Sequence, residues 1–292
     1  IASCLVGSEM CIRDSSGKAI DFIGKRKMGY IFSAVVLAVG MGLIAKNGMN
    51  LGVAFTGGYS YVYEFDESVT SGDARTAIKE FVGESDVQVK TYDKNNQLVI
   101  TTSYLMESTD KNKATLVKEA VEKGLSKLGN FNQLQSIEVG ASIADDIKET
   151  SLESVIIALI VIFLYVVLRF RKWQFGLGSL AALFHDVLFV LSVFAIARVL
   201  GFSFEIEEVF VAAVLTLVGY SINDTVVVFD RIRENLGFEN ADTLKESFNK
   251  ALSSTLSRTV VTSVTTLLVV LVLFIFGGEA LRGFSFALLV GI

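Results

Sequence analysis

Proline is absent from all 292 residues. At an average usage of roughly 5% a chain this long would carry over a dozen, so every helix break is expected to rest on glycine, of which there are 24. Cysteine occurs only as Cys4 and Cys11, both near the amino terminus, which excludes a disulfide framework or thiolate metal cluster over the rest of the chain. The single histidine, His185, cannot build a metal site by itself. Nor is there an excess of basic charge. Lys and Arg number 26 against 31 Asp and Glu, for a net charge of −5, which argues against nucleic acid as a partner because phosphate binding needs a basic patch. No cofactor is expected.

What the chain has in quantity is apolar length. It is 52% hydrophobic, with a mean hydropathy of +0.55. Several apolar runs reach about 17–25 residues, the length that crosses a bilayer. They fall at Met28–Ile44, Leu152–Leu168, Trp173–Ala197, Val209–Phe229 and Thr259–Phe276, with a last one from near Phe284 that is cut short at Ile292. The first 19 residues have no basic region followed by an apolar core, so they make a poor signal peptide and read as a non-native leader.

Basic residues set the topology. Lys25, Arg26 and Lys27 precede the first span, Arg169, Arg171 and Lys172 follow the second, and Arg231, Arg233, Lys245, Lys250 and Arg258 lie between the fourth and fifth. The alternate loops carry little beyond Arg198 and Arg282. By the positive-inside rule the amino terminus is cytoplasmic and residues 46–150 are outside. The expected division is thus a first span at 20–45, an external domain at 46–150 and further spans over 151–292.

The external stretch has a pattern of its own. Strands are expected at Tyr59–Phe65, Asp86–Tyr92, Gln97–Thr102 and Leu134–Val139, with a turn at Asp93–Asn96. Helices are expected at Ser71–Phe81 and Asn112–Leu128, the latter facing inward with Leu116, Ala120, Val121 and Leu125. The order β-α-β-β-α-β is that of ferredoxin-like α+β folds. No catalytic constellation appears in it, so a contact or binding module is expected and an enzyme is not. Near 240–257, Leu244, Phe248, Leu252 and Leu256 recur at helical spacing, as in a cytoplasmic amphipathic helix packed on its neighbours.

Charge inside the spans is the feature with chemical meaning, because an ionisable residue there costs roughly 2.5–3.5 kcal/mol on insertion scales. In the fourth span Thr216, Tyr220, Asn223 and Asp224 form a polar stripe on one helical face, widened by Ser221 and Thr225. The third span carries Ser179, Ala182 and Asp186 in a similar row, with His185 adjacent. At about 1.5 Å per residue, Asp224 lies about 8 Å from the inner end and Asp186 about 20 Å in. With Arg258 at the inner boundary of the fifth span, these groups make a ladder of the kind proton relays use. The alternatives are structural: Asp224 as a helix–helix hydrogen bond or an ion pair with Arg258, Asp186 as an acceptor for a neighbouring span, His185 as a packing residue. Arg231 and Arg233 read as topology determinants. A lone Asp224 without a cluster of oxygen ligands points to H⁺ rather than Na⁺.

The run Tyr220-Ser-Ile-Asn-Asp-Thr-Val-Val-Val-Phe-Asp-Arg-Ile-Arg-Glu-Asn235 resembles the fourth-span signature of the SecF family, within the resistance–nodulation–division superfamily. Phe55-Thr-Gly-Gly58, Ala182-Leu-Phe-His-Asp-Val187, Leu256-Ser-Arg-Thr259, Thr262-Ser-Val-Thr-Thr-Leu267 and Gly277-Gly-Glu-Ala-Leu-Arg282 follow in the family's order. The resemblance, from about Asp21 to Ile292, implies a six-span bundle in the bacterial inner membrane. It implies a SecD partner, separate or fused, the SecYEG translocon and emerging preprotein as further partners, and use of the proton-motive force in export. It maps the proton-flow aspartate onto Asp224 and a contributing basic residue onto Arg258, with Phe55, Thr56, Gly57, Gly58, Asp230, Arg231 and Arg233 as motif positions. The chain departs from the family pattern at Ala54, Tyr59 and Ala141. A small-molecule exporter of the same superfamily and a scaffold or insertion factor without ion coupling are the competing readings; the first calls for larger paired external domains.

Overall fold

The computed structural model describes residues 20–83, 87–92, 94–106, 108, 112–202, 204–236 and 244–292. The expected leader, Asp86, Asp93 and the first residues of the amphipathic segment lie outside these. Five helices are long and apolar enough to cross a membrane: α1 (Phe22–Asn47), α5 (Ala141–Phe170), α6 (Trp173–Val199), α7 (Glu208–Leu236) and α8 (Leu244–Phe276). Between α1 and α5 lie α2 (Val53–Thr56), β1 (Gly58–Phe65), α3 (Ser71–Val82), β2 (Val87–Thr91), β3 (Gln97–Thr102), α4 (Lys113–Leu125) and β4 (Phe131–Val139); α9 (Glu279–Gly291) follows α8.

The helices overrun their apolar runs where a cap allows it. α1 begins six residues before Met28 because the Asp21 carboxylate accepts from the Gly24 N–H at 2.8 Å and satisfies an orphan donor of the first turn. α5 begins at Ala141, inside the stretch assigned by hydropathy to the external domain. α8 is one helix where an amphipathic segment and a span were expected, since no glycine or proline interrupts Leu244–Phe276. α9 starts at Glu279 rather than near Phe284, behind Gly278 at φ 72°. Glycine also ends α1, α3 and α6, but the turn from α5 to α6 corrects the glycine expectation: Arg171 takes the left-handed conformation at φ 54°.

α7 is the hub of the bundle, packed against α5, α6, α8 and α9. Its Phe210, Ala213, Val214, Leu217 and Val218 are buried with Leu183, Val190 and Phe194 of α6 and Ala287 and Leu288 of α9. Outward-facing Ile31, Leu164, Val269 and Phe276 stay exposed, as in a lipid-facing surface. α1 crosses α6 closely. A Cβ on Gly40 would lie 2.2 Å from the Ser192 Cβ, the close backbone approach that small residues permit between spans.

The β-domain forms one antiparallel sheet, order β2-β3-β1-β4, with the expected β-α-β-β-α-β connectivity. Alternation along β1 places Tyr59, Tyr61, Tyr63 and Phe65 in a core with Ile78, Val82, Leu98, Ile100, Val117, Val121 and Leu125. Each fully buried apolar side chain there contributes about 1.5–3 kcal/mol. The α4 face is turned from the expected one: Val117, Val121 and Gly124 point inward while Leu116 is exposed. Gly124 is the reason, for a Cβ at this position would sit 2.8 Å from the Ile78 Cα, so α3 and α4 meet at backbone distance.

Chain entry and exit are side by side, with Gly58 paired to Val139. The segment before α2 is held to the α6–α7 connection. The Gly52 N–H donates to Ile206 O at 2.9 Å, the Ile206 N–H to Asn50 O at 2.8 Å, and the Arg198 guanidinium to the carbonyls of Asn47 and Gly48, each at 3.2 Å.

Candidate functional site

The polar stripe of α7 forms as its spacing predicts, and its members turn to different neighbours. The Thr216 hydroxyl donates to Ala212 O and that of Thr225 to Ser221 O, so both satisfy themselves on the helix's own carbonyls at 2.7 and 3.0 Å. Tyr220 reaches α8, its hydroxyl donating to Ser263 Oγ at 3.4 Å. Ser221 reaches α6, donating to Asp186 Oδ2 at 2.7 Å.

Asp186 is therefore the centre of a polar chain across three helices. Its other oxygen, Oδ1, stands 3.2 Å from His185 Nδ1, and His185 Nε2 contacts the Ser33 hydroxyl of α1. An ionised Asp186 accepts only, so a neutral His185 beside it carries its proton on Nδ1 and accepts from Ser33 through Nε2. The structural alternative of an acceptor for a neighbouring span is met by Ser221. The aromatic packing alternative for His185 is met as well, its ring stacking on Phe189 with centroids 6.0 Å apart. Ser33 had no signal beyond a hydroxyl in an apolar run.

Asp224 is different. It is half-buried, Asn223 beside it and Arg258 are exposed, and among the described residues neither Asp224 nor Arg258 makes an ion pair or side-chain hydrogen bond. The ion pair considered between them is not formed. Their placement is nonetheless set by two cross-helix bonds, Tyr220 to Ser263 and Asn235 Nδ2 to Ser247 O at 3.3 Å. These fix an antiparallel register in which Asp224 stands opposite Arg258 and Thr259. An acid without a partner and a cation thus share one level of the bundle.

The remaining motif residues lie apart from this level. Asp230 Oδ1 accepts from Arg233 at 3.0 Å and from Arg169 of α5 at 3.3 Å. Both guanidinium groups lie over the Phe170 ring, at 5.6 and 5.5 Å. Arg231 pairs with Glu234 at 2.7 Å. At the other end Phe55 is buried in the bundle core and Thr56 donates to Gly52 O at 3.1 Å. Gly57 and Gly58 have φ 71° and 132°, and a Cβ on Gly58 would come within 2.7 Å of Thr102 O. That explains two glycines at this joint: it needs both a backbone that side chains avoid and a space that a methyl would fill. Among the described residues no group of three His, Cys, Asp or Glu side chains is arranged to hold a metal.

Residues 96–292 match the family model described as protein export membrane protein SecD/SecF, C-terminal, and residues 42–69 match the SecD/SecF GG motif. The protein translocase subunit SecF of Rhodothermus marinus is 40% identical over 272 residues, covering 93% of this chain and 86% of that one. The subunit of the same name from Haemophilus influenzae is 37% identical, covering 93% and 80%. Among solved structures, SecDF of Thermus thermophilus, a translocon-associated membrane protein, superimposes with a TM-score of 0.79 at 31% identity. That alignment takes in 94% of this chain and 36% of the longer SecDF chain. SecDF in a super-membrane-facing form gives 0.64 over the same shares.

Proposed function

Because the chain belongs to the SecF family of protein translocase subunits, we propose that it works beside a SecD partner, separate or fused, as a proton-coupled accessory of the Sec translocon and not as an enzyme. It sits in the bacterial inner membrane with its amino terminus in the cytoplasm and residues 46–150 in the periplasm, and it uses the proton-motive force to help draw preproteins out of SecYEG. The orientation is supported by the basic residues at the end of the bundle away from the sheet, among them Lys25, Arg169, Arg171, Arg233 and Lys245.

The observation that carries this reading is Asp224, half-buried without a hydrogen-bond or ion-pair partner among the described residues and facing the level of Arg258. Low-dielectric surroundings favour the neutral acid, whereas an approaching cation or water favours the carboxylate. A small movement of α8 against α7 therefore changes which form is stable, and a proton taken up or released at Asp224 biases that movement in return. One charge crossing 100 mV supplies about 2.3 kcal/mol, enough to shift a two-state equilibrium about fifty-fold. Asp186, bonded to Ser221 and His185, is the second proton-holding position of the relay, with Asn223 and Thr225 supporting the stripe.

The test is preprotein export in vesicles carrying the protein with SecD and SecYEG, with and without a proton gradient. Asp224→Asn keeps the shape and cannot titrate, so the gradient-driven component is expected to vanish while gradient-free export is unchanged. Equal gradient stimulation in both proteins rejects the mechanism and leaves Asp224 a packing residue.

A further inference from the structure

The β-domain is fastened to the bundle very unevenly. Both covalent joints, Gly57–Gly58 and Val139–Ala141, lie at β1 and β4, the two strands that α2 touches. The opposite edge of the sheet is β2, separated from the joints by β3. There an ion pair reaches across, from Lys90 of β2 to Glu205 of the α6–α7 connection. It ties the strand farthest from the joints to the helices that follow the β-domain.

Between joint and ion pair the two faces do not close on each other. They leave a cleft of about 170 Å³ with Val62, Val99 and Ile137 of the sheet on one side and Phe204, Phe210 and Phe284 of the bundle on the other. A face with a cavity behind it and an ion pair at its far margin can open from that margin. The Lys90 and Glu205 side chains keep 26% and 21% of their exposure. Their attraction is therefore stronger than that of a fully solvated pair, yet water and salt still reach it.

We propose that Lys90–Glu205 is a releasable clasp: breaking it lets the β-domain swing about Gly57–Gly58 and Val139–Ala141, lifting the β2 edge from the bundle and opening the cleft. Glu207 lies there against Gly52, whose Cβ would meet the Glu207 side chain at 2.5 Å. Burial, with Glu205 and Glu208 alongside, pushes the Glu207 carboxyl up, partly offset by Lys90; Arg282 of α9 lines the same cleft. Lys90 thus attracts the ionised forms of both Glu205 and Glu207, and opening removes that attraction from both. The clasp stands on the arrangement of the domain alone and does not depend on proton coupling.

The test uses the full chain in lipid nanodiscs, with Cys4 and Cys11 replaced by Ser and spin labels at Asn95→Cys in the β2–β3 turn and Leu200→Cys after α6. Distances are measured by pulsed electron resonance. The unsubstituted clasp is expected to give one short distance, and Lys90→Ala or Glu205→Ala to add a longer, broader population. The exchange Lys90→Glu with Glu205→Lys is expected to restore the short distance. Unchanged distances in the single variants overturn the proposal, as does an exchange that stays open. Should the variants fail to fold, the unsubstituted clasp at about 1 M salt, where the screening length falls to ~3 Å, decides. A new long-distance population supports the clasp and an unchanged distribution overturns it.

Discussion

Asp21 shows how a single carboxylate can hold two helices at their ends. It caps α1 through Gly24 and binds Lys245 at 2.9 Å and Asn249 at 2.9 Å, while the Ile23 N–H donates to Asn249 Oδ1. The hydrogen bond from Lys245, then that from Gly24, brings its carboxyl down to about 2 from the ordinary 3.8. A lowered acid stabilises the folded state above its unfolded value and loses that contribution as pH falls toward the folded one. The melting temperature of the parent is therefore expected to exceed that of Asp21→Asn by a constant margin from neutral pH down to about 4, then converge with it as pH approaches 2. A margin that persists at the acid end would exclude the carboxylate as its source. Residues of this kind were only half legible. Asp224 announced itself as a charge in an apolar run, and Asp186 did likewise. Ser33, Ser263 and the Lys90–Glu205 pair carry no such mark, because their meaning lies in a partner far along the chain.

Elements were legible where local chemistry decides them. β3 falls at Gln97–Thr102 as its alternation predicts, and α3 ends within a residue of its expected limit. They were misjudged where packing or continuity decides. In α8 the charge at Arg258 suggested a boundary, but a charge does not stop a helix when neither glycine nor proline follows it. The leucine row of its first half also turned out differently, with Leu244 and Leu256 exposed while Ser247, Ala251 and Thr255 face inward. The small residues allow the close approach, while Phe248 and Leu252 of the expected row are half-buried. The α1–α6 crossing rests on the same principle and gives a direct test. Gly40→Ala is expected to destabilise the bundle by roughly 1–3 kcal/mol through overpacking, read as a lowered melting temperature in detergent. Adding Ser192→Gly should recover only part of it, since it removes the Ser192 Cβ and Oγ, 2.2 and 2.7 Å from the added Cβ, but leaves the Ser192 Cα at 2.4 Å. Failure of the second substitution to rescue would place the strain elsewhere.

At the scale of the whole molecule, the spans and the ferredoxin-like order followed from hydropathy and alternation, because bilayer thickness and the pleat each impose one period. The fastening of one part to the other did not follow, since it depends on Leu51 bridging to Ile206 and on β1 and β4 meeting at Gly58 and Val139. That last pairing has a consequence for modularity. A unit whose first and last residues are neighbours, and whose core is its own, is an insert on a two-stranded stem, and the membrane part need not rearrange to accommodate its loss. Replacing residues 59–138 by a short glycine–serine bridge is expected to leave a bundle that still inserts and elutes as a monodisperse species. An aggregated product would mean that the insert is needed for the bundle to assemble. If the bundle survives, the same stem becomes a grafting point, where a domain of another shape can replace this one while the helices beneath it stay as they are.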